Sequence, residues 1–287
     1  MKKQYLNGIL AMIFSSVVFA VMSGMVRYAD NIDSFKTSFF RFAIGIALLS
    51  TAAIFNKIKL DFFSSRLLFS RGFFGGIATF IYYLSISKIG LAKGTIINYS
   101  YPIFVAVIGM IFLKEKISPL KWLMIISAFA GLFLISSSGS GMDMSLGLYE
   151  AIAVMGAVFS AIAIAIVKKL RESESSYSIF FSQCVIGFWL VVVPAELLPS
   201  DIGLSGGIIL LLIGITAAIG QLAMTYSYKY LPVSTGSLLS MLTPIFNIFI
   251  GVFLFSEKLS PGGIAGVLLI LVSCAVIITK TDNTSSL

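Results

Sequence analysis

Charged and polar side chains inside apolar runs are where this chain could do chemistry. Arg41 stands about one turn inside such a run, where a charge is costly unless protein or water meets it. A guanidinium there could hold a cargo carboxylate through paired hydrogen bonds; snorkelling to the interface, or pairing with an acid such as Glu150, is the slightly favoured alternative. Glu150 is the acidic candidate for coupled proton movement, since no other carboxylate lies near a run and outside an evident loop. At about one turn in, an interfacial role suits it better. Uncharged stripes are more extensive. Ser237, Ser240, Thr243 and Asn247 recur at helical spacing and share one face. Thr95, Asn98 and Tyr101 occupy the same places earlier in the chain. Gln221, Thr225 and Tyr228 form another stripe, with Thr79, Tyr82 and Tyr83 as its earlier counterpart. An amide, hydroxyls and phenols on one wall suit a solute with an apolar body and a few polar handles. Interhelical hydrogen bonding is the alternative for the stripes, and an interfacial aromatic belt the alternative for the tyrosines; recurrence in both halves favours a lining.

Composition excludes much else. The 287 residues are 58% hydrophobic and 11% charged, against about 25% charged in a soluble domain, so the solvent for the outer surface must be lipid. There is no histidine, which removes the usual proton relay and metal ligand. Cys184 and Cys274 sit in apolar runs and read as buried fillers rather than a disulfide. Gly90–Thr95 lacks the Gly-Lys-Ser/Thr ending of a phosphate loop. No nucleophile–base pair is evident, so the expectation is no enzyme, no cofactor and no metal. The net charge of +8 is read as membrane orientation rather than as nucleic-acid binding.

The elements that must position these residues are ten apolar runs, near 7–28, 37–56, 67–87, 92–113, 119–138, 147–168, 178–197, 206–229, 233–254 and 261–280; a bilayer crossing needs about 20 residues. The tail from Thr281 is polar and expected to fray. With the N-terminus inside, fourteen of the twenty Lys and Arg residues, Arg71 among them, fall on the cytoplasmic side. Both termini are then cytoplasmic, with Asp143, Glu196 and Asp201 outside. Trp122 and Trp189 are assigned to neither cavity nor belt.

The chain also repeats itself. Pro102–Pro119 matches Pro244–Pro261 at nine positions, 142 residues apart, including Pro-Ile-Phe, Gly109/Gly251, Glu115/Glu257 and Ser-Pro. At the same offset Arg41 corresponds to Gln183, and Gly72 to Gly214. The unit is five spans, roughly 1–140 and 141–287. Five is odd, so the second copy enters from the opposite side, a building plan of secondary transporters. Pro102 and Pro244 fall in mid-span, where proline kinks a helix and frees a carbonyl; matched interruptions point to a central site. Gly72, Gly75 and Gly76 read as close helix packing. Glu115 and Glu257 are expected at opposite membrane edges, with Ser118-Pro119 and Ser260-Pro261 capping the next helices.

Phe39-Phe40-Arg41-Phe42, Arg71-Gly72 and the doubled Pro-to-Glu phrase resemble the EamA-type family of the drug/metabolite transporter superfamily, along essentially the whole chain. The resemblance implies an all-α polytopic membrane protein, with ten transmembrane helices as two inverted five-helix repeats. It also implies alternating access and a small metabolite or amino acid as cargo. Many members of the family export. Some import, including S-adenosylmethionine carriers, whose phrase in the second span is similar to Ser34–Phe42. The expectation is an inner-membrane carrier of an amino acid or related solute, export favoured over import. An importer or exchanger of a charged metabolite such as S-adenosylmethionine, or a channel, is the alternative. Partners are the cargo and the lipid bilayer, with no nucleic acid; monomer and homodimer both stay open.

Overall fold

The computed structural model describes residues 2–29, 32–62, 64–137, 147–197, 202–256 and 260–284. Asp143, Asp201, Glu257 and Lys258 lie outside the described residues, so the expected outer position of Glu257 is not addressed. Among the described residues every regular element is helical: α1 (Lys2–Tyr28), α2 (Ser34–Ile54), α3 (Arg66–Ile89), α4 (Leu91–Asn98), α5 (Tyr101–Phe112), α6 (Pro119–Ser137), α7 (Leu148–Leu170), α8 (Ser176–Leu197), α9 (Leu204–Ser227), α10 (Val233–Ser240), α11 (Leu242–Phe255) and α12 (Pro261–Thr284). Counting α4 with α5 and α10 with α11, nine described segments are long and apolar enough to cross a membrane, and α6 adds a shorter apolar helix. The protein is an all-α polytopic membrane protein. Helix α12 continues to Thr284, so the polar residues from Thr281 to Thr284 extend it rather than leave it.

Local chemistry sets the helix ends. Asp33 accepts from the Phe35 N–H at 2.7 Å and starts α2. Pro119 and Pro261 are the first residues of α6 and α12, where a missing N–H costs nothing. The Ser118 hydroxyl accepts from Lys121 N–H at 3.3 Å and that of Ser260 from Gly263 N–H at 3.0 Å. The doubled Ser-Pro therefore starts a helix both times. Between α7 and α8, Arg171 donates to the Glu174 carbonyl in the tight turn that reverses the chain.

Packing is nearly symmetric between the halves. Helix α1 lies on α9 as α7 lies on α3; α3 lies on α8 as α9 lies on α2; α1 meets α11 as α7 meets α5; α6 and α12 pair with each other. Small residues make these crossings close. A Cβ at Gly131 would stand 2.6 Å from the Gly266 carbonyl, so α6 and α12 touch backbone to backbone. One at Gly72 would stand 2.5 Å from the Ser182 carbonyl, fixing α3 against α8. The outer surface is apolar: Trp189 is 70% and Phe253 78% exposed, as befits helices whose solvent is hydrocarbon. Cys184 and Cys274 are buried free thiols.

Symmetry fails around the short helices. Helix α5 packs on α10 and α3 on α4, whereas the corresponding pairs, α4 with α11 and α9 with α10, do not pack to a comparable extent. Every residue of α10 is buried.

Candidate central site

Both interrupted helices owe their break to the same residues. Pro102 sits in the first turn of α5, and Pro244 in the first turn of α11. Proline cannot donate the hydrogen bond that would join either segment to the one before it, and its ring clashes with the preceding turn. The outcome is more than a kink: Tyr99-Ser100 separate α4 from α5, and Met241 separates α10 from α11.

The two breaks meet across the bundle. Tyr101 hydrogen-bonds with Ser240, and Tyr99 with Thr243, so each break is tied to the opposite half. The Tyr99 and Tyr101 rings lie 6.1 Å apart. Tyr82 reaches Thr95 at 3.4 Å, joining α3 to α4. Tyr228 is fully buried against Gly236, where any Cβ would meet its ring at 2.5 Å. That position excludes Tyr228 from an interfacial belt. Tyr226 and Tyr230 instead pair with each other, centroids 5.2 Å apart, and Tyr226 is 39% exposed.

Several of these groups are buried without a hydrogen-bond partner: Arg41 Nε, Arg71 Nε, Gln221 Nε2, Tyr228 Oη and Asn247 Oδ1. Each such group costs about 1–3 kcal/mol if nothing ever meets it; Ser16, Ser38 and Arg171 carry such atoms too. Other residues of the stripes are spent internally. Thr225 donates to the Gln221 carbonyl, Ser237 to Ser234, Ser240 to Ser237 and Thr79 to Gly75. Asn98 is half-buried at the end of α4. Because the Tyr228 hydroxyl has no partner to lose, Tyr228→Phe is expected to leave the thermal midpoint unchanged or slightly raised while lowering cargo flux severalfold. Thermal unfolding beside liposome flux checks this; a lower midpoint would make the hydroxyl structural.

Glu150 stands apart from this centre. It pairs with Lys93 at 2.5 Å and accepts from the Gly147 N–H at 2.9 Å, where it closes the first turn of α7. Arg41 lies in the second turn of α2, its guanidinium 6.0 Å above the Phe19 ring. It has no carboxylate partner among the described residues.

Two residues matter that the sequence pattern did not single out. Arg71, expected among the cytoplasmic-side cations at the opening of its span, is 3% exposed inside α3 and donates to Gln183 at 2.8 Å. A Cβ at Gly75 would clash with that guanidinium, so this glycine makes room for Arg71 rather than for a helix. Arg71 opens the apolar run of α3, which made it look interfacial. Glu115, expected only to end its helix at the membrane edge, turns back and caps α10. It accepts from Val233 N–H (2.6 Å), Ser234 N–H (3.3 Å) and the Ser234 hydroxyl (2.8 Å). Lys121 donates to Ser234 and Thr235 at the same spot. A carboxylate is the favoured partner of a helix N-terminus, and this one joins the first half of the chain to the second. The signal available in the sequence was the recurrence of Glu at the same distance after each proline.

Interrupted helices crossing at the middle of a bundle of apolar helices, with unpaired polar groups around them, define a membrane transporter. The chain belongs to the EamA-like transporter family, whose profile matches twice, at residues 3–137 and 148–279. The pseudopaline exporter CntI of Pseudomonas aeruginosa is 26% identical over 274 residues, covering 93% of this chain and 94% of that protein. The S-adenosylmethionine uptake transporter of Rickettsia bellii is 28% identical over 244 residues, covering 80% and 82%. Mouse solute carrier family 35 member G1 is 26% identical, covering 93% and 76%. A solved crystal structure superposes with a TM-score of 0.82 at 16% identity over 99% of both chains, which shows a shared fold.

Proposed function

We propose that this transporter moves an amino acid or a related small metabolite across the cytoplasmic membrane by alternating access, outward from a cytoplasm that holds both termini. The observation that carries this is the crossing of the two interrupted helices, Tyr99 and Tyr101 on one and Ser240 and Thr243 on the other. A pair of matched breaks supplies backbone and side-chain donors and acceptors to a solute at mid-membrane, and rocking of one half about the crossing exposes them to either side. Phenol rings beside hydroxyls and amides fit a solute with an apolar body and few polar handles. The packing of α5 on α10 without comparable packing of α4 on α11 fits one face shut and its counterpart released, as a carrier requires and a continuous pore does not. Outward movement is supported by the Pseudomonas relative, which is named as an exporter and matches nearly end to end; the Rickettsia relative, named for uptake, matches over a shorter stretch.

The test is flux in proteoliposomes with a panel of labelled amino acids. Asn98→Ala and Gln221→Ala are each expected to lower flux about tenfold with an unchanged thermal midpoint, since each removes a polar contact to cargo worth about 1.4 kcal/mol. Undiminished flux in both variants would remove the site from the crossing, and a non-saturating single-channel current would replace the carrier with a channel.

A further inference from the structure

We infer that Arg41 and Arg71 form an anion subsite of the central site, and that the cargo is a small organic anion whose negative charge exceeds its own positive charge. This rests on the carrier reading and names its substrate class.

Two guanidiniums lie inside the same bundle. Arg71 is buried in α3 and bonds Gln183 of α8; Arg41 stands on α2 one turn before Gly45, where a Cβ would meet the sulfur of Cys184, the residue after Gln183, at 2.7 Å. The Nε of each is buried and unpartnered. Neither has a carboxylate partner among the described residues. Nor does the sequence offer one nearby: no Asp or Glu occurs between Asp33 and Asp61, or between Asp61 and Glu115. Glu150 is committed to Lys93 and Glu115 to α10, and Glu196 is exposed at the far end of α8. The side chain that does meet Arg71 is Gln183, a neutral amide. Gln183 is also the counterpart of Arg41 at the 142-residue offset, so one half of the repeat supplies the charge and the other an uncharged group beside it.

A buried cation without a counter-charge is strongly unfavourable; Arg71 is such a cation, and Arg41 beside it is half-buried. Arginine holds its proton, so relief by neutralisation is closed to it. The remaining source of negative charge is the solute, and a guanidinium is well matched to a carboxylate or phosphate fork. A zwitterion balanced in itself would leave the pair uncompensated, and a cation would be repelled by it.

An isosteric change separates this from a purely structural role for Arg71. Gln183→Glu places a carboxylate 2.8 Å from the guanidinium without altering shape, and so mimics the cargo. The full-length protein in detergent is unfolded thermally with succinate, L-glutamate, glycerol 3-phosphate, L-leucine or L-lysine. In the unaltered protein, succinate, glutamate or glycerol 3-phosphate is expected to raise the midpoint by about 4 °C, with little response to leucine or lysine. Succinate against glycerol 3-phosphate tells carboxylate from phosphate cargo, and a response to either supports the proposal. Gln183→Glu is expected to raise the midpoint without any solute and to weaken the anion response at least about tenfold in concentration. Arg41→Gln should weaken that response too. The proposal is overturned if Gln183→Glu lowers the midpoint, if the anion response survives it, if leucine or lysine stabilises as well as the acids, or if no anion stabilises at all. Those outcomes leave the carrier itself to the flux assay with Asn98 and Gln221 variants, which can succeed with a solute of any charge.

Discussion

In the proposed carrier cycle, Glu115→Ala should open the bundle where Glu115 caps α10. Its carboxylate is the hydrogen-bond partner of the Val233 and Ser234 N–H groups and of the Ser234 hydroxyl, all at the N-terminus of a helix that is buried along its whole length. A hydrogen bond to a charged group is worth about 1.5–3 kcal/mol, and donors left dry cost a further amount of similar size. Taking about 2 kcal/mol as the loss specific to the closed face, the closed-to-open ratio falls about thirtyfold. Glu115→Gln keeps an acceptor but not the charge, and its effect should be severalfold. Val105 belongs to the same buried cluster as Val233 and has no exposure. A Val105→Cys probe, in a chain with Cys184 and Cys274 replaced by serine, should therefore react with a maleimide far faster once Glu115 is removed. An unchanged labelling rate would mean that the contact does not hold this face.

Gly72→Val is the substitution expected to do most damage to the fold. Its first carbon would stand 2.5 Å from the Ser182 carbonyl oxygen and 3.0 Å from the Ser182 carbonyl carbon. A side chain can rotate away from such a clash; a helix backbone cannot, so α3 must leave α8. Overpacking costs about 1–3 kcal/mol where neighbours can adjust, and more where they cannot. Parting α3 from α8 also parts Arg71 from Gln183, so binding should fail together with stability. Gly207→Val is the control, because a Cβ there meets nothing within 4 Å and the residue lies in the first turn of α9. Thermal unfolding should show a drop of many degrees for Gly72→Val and almost none for Gly207→Val. Equal midpoints would show that α3 and α8 are free to separate.

The elements were legible because their cause is local. Apolar runs of bilayer length become helices in lipid whatever surrounds them, and the breaks before Pro102 and Pro244 follow from a ring that cannot donate. The stripes were legible in part. Helical periodicity tells which residues share a face, so Gln221, Tyr228 and Asn247 could be grouped before any packing was known. It does not tell whether a hydroxyl turns outward or bonds its own helix one turn back, as Thr225, Ser237 and Ser240 do. Tyr228 shows a second limit: a phenol near a helix end has the same pattern in a belt and in a core, and contact with Gly236 separates them.

Alone, the sequence determined the class of molecule, the number of apolar runs, the doubling of the unit and the two breaks, because composition, period and proline chemistry act within a few residues of one another. Only the tertiary structure decided what faces what. Arg71 looked like a cation at the cytoplasmic edge of its span and is an interior one, because α8 brings Gln183 to it from 112 residues away. Glu115 looked like the end of a helix and is the cap of another, because the crossing of α5 and α10 carries its carboxylate to Val233. Both are pairings across the two halves, and a distance along the chain holds no record of a distance through space.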